Sequence, residues 1–384
     1  MPVDSPIVQN SAVAVTNALF GSLWIRSNEA MQGLCPILLL AFLFVTAVSR
    51  PAQSLREAAD RAHVLIGAAV NAAYLSEPAY TSTLAREFNM LEPEDAMKWA
   101  VIRPDAETYN FADGDRLVAF AEAHGMKVRG HNLVWGTHNP KWLADGHFTP
   151  EQLRTILHDH IRRVVGHYRG KVFAWDVANE AFDEDGGLRD SIWYNRPGIG
   201  LGGNGAAYIE QAFRWAHAAD PQAQLFYNDA EGEAMNRKSD AIYAMVKDFK
   251  TRGVPIDGIG LQMHILTLRA DAASIGANIA RFTALGVQIH ITEMDVAIPL
   301  DSDGQARNPE DLQRQAEIYR EVATVCLQHP GCTALQTWGF TDKYSWLGWF
   351  THGSKRNGLL FDRQYRPKPA YQVLRDALAA AHSR

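Results

Sequence analysis

The sequence predicts a single (β/α)8 barrel preceded by an N-terminal export segment. Three observations carry this. β-rich runs alternate with amphipathic helical stretches, and eight such runs can be counted. The runs are apolar almost throughout, as strands covered on both faces are. Polar side chains gather at their C-terminal ends. An open doubly wound sheet shares the first two features. At least seven different strand ends contribute polar groups, and these converge only if the sheet closes on itself. In a closed barrel the C-terminal face carries the chemistry.

Residues 1–53 read as a leader and 54–384 as the barrel. From Leu34 to Val48 runs an apolar stretch of fifteen residues. A membrane-spanning helix needs about 20, whereas the apolar part of a secretory signal needs about 7–15. Ala47-Val48-Ser49 offers a small-residue cleavage site, so the signal falls at about 31–49, with Met31 as an alternative start. The expected location is secreted or periplasmic, with no stable membrane partner after cleavage; an uncleaved anchor is the alternative.

The expected strands are 63–71, 88–91, 127–135, 172–180, 224–229, 258–264, 288–296 and 335–341. Between them 151–167, 206–219, 234–252 and 309–328 have helical periodicity. In the last, Leu312, Ala316, Tyr319 and Val322 recur at spacings of three and four, a core-facing stripe. Glu94 follows the second strand, His131 closes the third, and Asn179-Glu180 close the fourth. Asn228-Asp229 end the fifth, Gln262 and His264 the sixth, Glu293 lies in the seventh, and Asp342 follows the eighth. Gly198–Gly203 fits a nucleotide-binding glycine pattern but does not leave a strand directly, so it reads as a rim loop.

Composition narrows the function. Lys and Arg number 37 against 43 Asp and Glu, a net charge of −6 without blocks of like charge. A nucleic-acid footprint would need clustered basic residues. Ten Trp are present, all but Trp24 from Trp99 onward; aromatic faces bind sugars or fill cores. Trp99, Trp175 and Trp193 read as core. Cys326 and Cys332 are close enough for a small disulfide loop or stand as two buried thiols.

Two glutamates lie in apolar strands, Glu180 in 172–182 and Glu293 in 287–296. A lone buried carboxylate usually makes a structural ion pair. Strands four and seven of one barrel instead place two carboxyls across a cleft. Glycosidic cleavage needs such a pair, one acid for the leaving oxygen and one carboxylate at the anomeric carbon.

The segments GHNLVW (130–135), WDVANE (175–180), GIGLQMH (258–264), TEMDV (292–296), TWGFTDKYSW (337–346) and GLLFDRQYRPKPAY (358–371) together resemble the family 10 glycoside hydrolases, the endo-β-1,4-xylanases. The resemblance spans about Leu55 to Leu378. It implies a retaining endo-1,4-β-xylanase cutting internal bonds of xylan by double displacement, without cofactor or metal. Glu180 is then the acid/base and Glu293 the nucleophile. Gln262 steadies the nucleophile, and His264 bridges Glu293 and Asp295. Asn179 binds the 2-hydroxyl of the sugar at the cleavage site. Glu94, Lys98, His131 and Trp135 line the non-reducing side, and Trp338 and Trp346 cover the cleavage-site sugar. The resemblance also implies a Cys326–Cys332 disulfide. The expected partner is xylan or xylo-oligosaccharide, with no nucleic acid and a monomeric enzyme.

Three segments depart from the family pattern. Asp95 stands where Asn is usual, Gly136-Thr137-His138 where His-Ser-Gln is usual, and Ala230 where Tyr is usual. The last predicts weaker binding on the leaving side. Two rivals are another retaining barrel β-glycanase, such as a β-1,4-glucanase, and a metal-dependent barrel hydrolase with His131, His264, Glu180 and Glu293 as ligands.

Overall fold

The structure is a computed structural model that describes residues 53–302 and 304–381. The expected export signal and its cleavage site lie outside the described residues.

Eight parallel strands close into a barrel: β1 (Leu65–Val70), β2 (Met90–Pro93), β3 (Lys127–Trp135), β4 (Ala174–Asn179), β5 (Gln224–Asp229), β6 (Gly258–Leu261), β7 (Gln288–Val296) and β8 (Cys332–Thr337). Each pairs with the next in sequence, and β8 also pairs with β1, which closes the ring. A helix follows every strand: α2 (Pro78–Glu87), α3 (Ala112–Ala123), α4 (Pro150–His167), α5 (Ala207–Ala219), α6 (Arg237–Thr251), α7 (Ala272–Thr283), α8 (Glu310–Gln328) and α9 (Pro369–Ala381). A short α1 (Leu55–Ala62) precedes β1. Buried Glu87 ties α1 to α9, its Oε2 accepting the Leu55 amide at 2.9 Å and the Tyr371 hydroxyl at 2.8 Å.

Strands β3, β5 and β7 have the bounds the sequence predicts. The differences elsewhere have local causes. β2 starts two residues late because Phe88 caps α2, its amide donating to the Leu84 carbonyl. β4 stops at Asn179 because Glu180 turns left-handed, with φ 51°. β6 stops at Leu261 because Met263 does the same (φ 67°), after which His264-Ile265 pair with Asp295-Val296. β8 starts at Cys332 and ends before Gly339, whose φ of 91° breaks the extended run. α6 begins at Arg237 because Asn236 and Ser239 form a reciprocal capping box. In α8, Ala316, Tyr319 and Val322 are buried as expected while Leu312 is partly exposed.

The two faces of each strand do different work. Along β5, Leu225 and Tyr227 pack in the layer between barrel and helices. Phe226 and Asn228 point inward instead, Phe226 lying 4.5 Å from the Arg129 guanidinium and 4.3 Å from the His290 ring. Gly260 on neighbouring β6 leaves room for Asn228: a Cβ there would come within 2.1 Å of the Asn228 Oδ1. Cys326 at the end of α8 and Cys332 at the start of β8 form a disulfide, as the resemblance implies. Trp99, Trp175 and Trp193 are buried core residues, and the Gly198–Gly203 segment is a loop between β4 and α5.

Candidate active site

Glu293 lies inside β7 and is almost fully buried. Its Oε1 accepts the Asn228 Nδ2 at 2.7 Å, and its Oε2 lies 3.2 Å from the His264 Nε2. The other ring nitrogen of His264 is 3.2 Å from the Asp295 Oδ2, at ion-pair distance though not aligned for a hydrogen bond. That same Asp295 oxygen accepts the Trp346 indole N–H at 2.6 Å. Burial alone would raise the Glu293 pKa. The His264 hydrogen bond, the charges of His131 and His264, and Asn228 outweigh it and hold Glu293 below the ordinary glutamate range. For His264 the balance runs the other way: burial disfavours its charge, but Asp295 and Glu293 keep it protonated well above the usual histidine range.

Glu180 sits one residue past β4, and three side chains grip its carboxyl. Oε2 accepts the Trp135 indole N–H at 3.1 Å; Oε1 accepts the Gln262 amide at 2.9 Å and the Asn179 amide at 3.2 Å. The carbonyl oxygen of Asn179 accepts from Asn228 at 2.8 Å, so the two glutamates belong to one hydrogen-bonded array. One expectation needs correction. The Gln262 side chain holds Glu180, not Glu293; only its backbone carbonyl meets the Glu293 amide, at 3.0 Å. The cause is the early end of β6, which points the side chain across towards β4.

One wall of the mouth comes from β2 and β3. The Lys98 ammonium lies 5.5 Å from the Trp135 ring and 5.3 Å from the Trp338 ring, between two indoles. Asp95 also pairs with Lys98 at 3.1 Å, a contact to a charged group that an Asn there would make more weakly. Burial, helped by Asp95, pushes Glu94 up to about 7. His138 stacks flat on the face of Trp135, ring centroids 4.3 Å apart and planes 9° from parallel. On the side of β5 and β6 lies a recess of about 370 Å³ bordered by Glu231, Glu233, Met263, His264 and Arg269, with no Phe, Tyr or Trp in its lining.

Beneath the mouth is a buried charged layer that sequence reasoning missed. Arg129 donates to Asp176 from both Nε, at 3.2 Å, and Nη2, and lies 3.4 Å from Glu92. His131 approaches the same carboxylates, its Nδ1 3.0 Å from Asp176 and 3.3 Å from Glu92. Burial and the Asp176 charge raise Glu92 to about 8. Burial would raise Asp176 too, but Arg129 and His131 outweigh it and hold Asp176 low. The signal was period two: Glu92 and Arg129 stand two residues before Glu94 and His131 and share their strand faces. Among the described residues, the one group with ligand atoms within 4.8 Å of one another is Glu92, His131 and Asp176. Arg129 already supplies the positive charge there, so these residues do not fit a cation. The set His131, His264, Glu180 and Glu293 does not converge as ligands among the described residues.

A family model described as glycosyl hydrolase family 10 matches residues 54–377. Endo-1,4-beta-xylanase B of Thermotoga neapolitana is 42% identical over 351 residues, covering 91% of this chain and 98% of that one. The beta-1,4-xylanase of Dictyoglomus thermophilum is 40% identical over 340 residues, covering 86% of this chain and 93% of its own. Among solved structures, xylanase 10B of Thermotoga petrophila RKU-1 in complex with xylobiose superposes with a TM-score of 0.81 at 42% identity, covering 87% of this chain and 99% of that one. From the match across the whole barrel, and from relatives this similar over nearly their full length, it follows that the chain belongs to glycosyl hydrolase family 10.

Proposed function

We propose that this protein is a retaining endo-1,4-β-xylanase. It hydrolyses internal β-1,4-xylosidic bonds of xylan by double displacement, with Glu293 as nucleophile and Glu180 as acid/base. The observation that carries the reading is the contrast between the two carboxyls of one mouth. Glu293 is kept ionised by Asn228 and the protonated His264, as a group that attacks an anomeric carbon must be. Glu180 is held at the rim by Trp135 and Gln262, where a leaving oxygen can take its proton. In the second step Glu180, now a carboxylate, draws a proton from water, which displaces the sugar from Glu293.

On this reading Trp338 and Trp346 cover the sugar at the cleavage site, and Asn179 binds its 2-hydroxyl. Glu94, Lys98, His131 and Trp135 form the glycone wall. Indole faces against a pyranose exclude water, and charged groups grip hydroxyls. The leaving side has no aromatic platform in its recess, which supports weaker binding there. The relatives named as xylanases support xylan over a glucan. The test is reducing-sugar release from xylan and from soluble cellulose by the purified protein and its Glu293→Ala variant. Release from xylan, favoured over cellulose and lost in the variant, is the expected result; preference for cellulose would replace the substrate.

The enzyme is further read as exported, cleaved near residue 49, and monomeric. The Cys326–Cys332 disulfide supports export, since disulfides persist in oxidising compartments. N-terminal sequencing of the protein from producing cells checks it: an N-terminus near residue 50 is expected, and an unprocessed one would overturn the export reading. Size-exclusion chromatography gives the oligomeric state.

A further inference from the structure

The outer face of β5 carries polar groups that the reaction above does not use. The Tyr227 hydroxyl accepts the amide of Ala181, the residue directly after Glu180, at 3.0 Å and donates to the Asp229 Oδ2. The Asp229 Oδ1 takes the Lys238 Nζ from the first turn of α6 at 2.7 Å, and the Ala230 amide at 2.9 Å. The Asp229 and Lys238 side chains are each 2% exposed. Burial pushes Asp229 up to about 7, with Lys238 and Tyr227 pulling it down and Glu180 adding to the rise. The Tyr208 hydroxyl of α5 is a further titratable neighbour.

A buried ion pair reached only through a tyrosine is an expensive way to satisfy one amide. That amide, though, flanks a strained residue. Glu180 has φ 51°, a conformation L side chains rarely adopt and one that persists only where the surroundings over-determine it. Two hydrogen bonds pin the turn: the Glu180 amide to the Asn228 carbonyl at 3.0 Å and the Ala181 amide to Tyr227. Both anchors stand on β5, one a main-chain carbonyl and the other a side chain on its outer face. The Ala181 carbonyl is held from the far side by the Arg189 amide at 2.8 Å, so loss of the Tyr227 bond leaves the turn anchored to β5 only through Asn228 and lets the Glu180 carboxyl shift relative to Trp135 and Gln262.

We infer that Tyr227, Asp229 and Lys238 form a positioning relay that holds the left-handed turn at Glu180 and so fixes where its proton is delivered. The inference rests on the acid/base reading of Glu180. None of the three side chains hydrogen-bonds a cleft side chain described above; Asp229 meets Gln262 only through its backbone carbonyl, at 3.1 Å, so they are positioning residues, not catalytic ones.

Leaving-group dependence tests it. A xylose leaving group needs a proton; a dinitrophenolate departs without one. Both kcat/KM values report the step that forms the glycosyl-enzyme, so their ratio isolates proton delivery. Tyr227→Phe is expected to lower kcat/KM on xylohexaose at least about tenfold while changing it less than about threefold on dinitrophenyl β-xylobioside. Asp229→Asn, which keeps the side-chain volume and reverses one hydrogen bond, is expected to show the same selectivity. Thermal melting confirms that each variant is folded. Equal losses on both substrates, or no loss on either, would overturn the relay. Glu180→Ala in the same assay separates the two ideas. If it lacks the selectivity, the acid/base reading fails; if it shows the selectivity and the relay variants do not, only the relay fails.

Discussion

Glu293 and Glu180 face one mouth but are built in opposite ways. Glu293 lies within a nine-residue strand, and its backbone is fixed by the sheet itself. Only its charge needs management, which falls to Asn228 and His264. Glu180 lies past the end of a strand, in a left-handed turn tied to the sheet by its own amide alone. Its position needs management, and that falls to hydrogen bonds from β5 behind it and from Trp135 and Gln262 in front. A nucleophile must sit still and stay charged, whereas an acid/base must meet the leaving oxygen and then a water. The ordinary strand suits the first task and the strained turn the second.

The sharpest break of this comparison is Glu293→Ala. It should lower kcat/KM on xylan by at least about 10⁴-fold, the scale of losing a covalent nucleophile. Added azide should give the inverted glycosyl azide, detectable by NMR; the retained product would mean that Glu293 is not the nucleophile. Glu180→Ala should lower kcat/KM on xylan by about 10²–10⁴-fold, the usual share of a general acid. Here azide should give the retained product, so the two variants are opposites in stereochemistry as well as in leaving-group dependence.

A smaller effect concerns charge. His264→Gln removes the cation that holds Glu293 low, so the Glu293 pKa rises. Glu293 must be ionised to attack, and the acid limb of kcat/KM should therefore move to higher pH while the alkaline limb stays. A pH profile with an unmoved acid limb would mean that His264 has no electrostatic part. The smallest effect belongs to the front of the Glu180 grip. His138 covers Trp135, whose indole N–H reaches Glu180. A stacked aromatic pair contributes about 0.5–1.5 kcal/mol, so His138→Gln should change kcat/KM on xylo-oligosaccharides only a few-fold. Titrating wild type and variant against oligosaccharides of increasing length shows whether the change lies on the glycone side.

The barrel was legible because its strands are short apolar runs and its helices have clean apolar stripes, as in α8. Ends of elements were less legible where single residues turn left-handed. Glu180, Met263 and Gly339 each stop a run whose composition would continue it. The Gln262 misreading follows directly, since β6 ends before it and its side chain crosses to Glu180. The charged layer of Glu92, Arg129 and Asp176 was not legible because its members lie inside largely apolar strands, away from the strand ends.

The sequence by itself predicted the closed parallel barrel and the family, and pointed to the two glutamates that meet at one mouth. Those depend on periodicity and on short contiguous segments, which a linear reading preserves. Only the tertiary structure decided which groups hold which carboxyl. Asn228 lies 65 residues from Glu293, Gln262 lies 82 from Glu180, and Tyr227 lies 46 from Ala181. Contacts between strands so far apart in sequence depend on barrel closure and on which way each pleat faces, and neither is written at any one position.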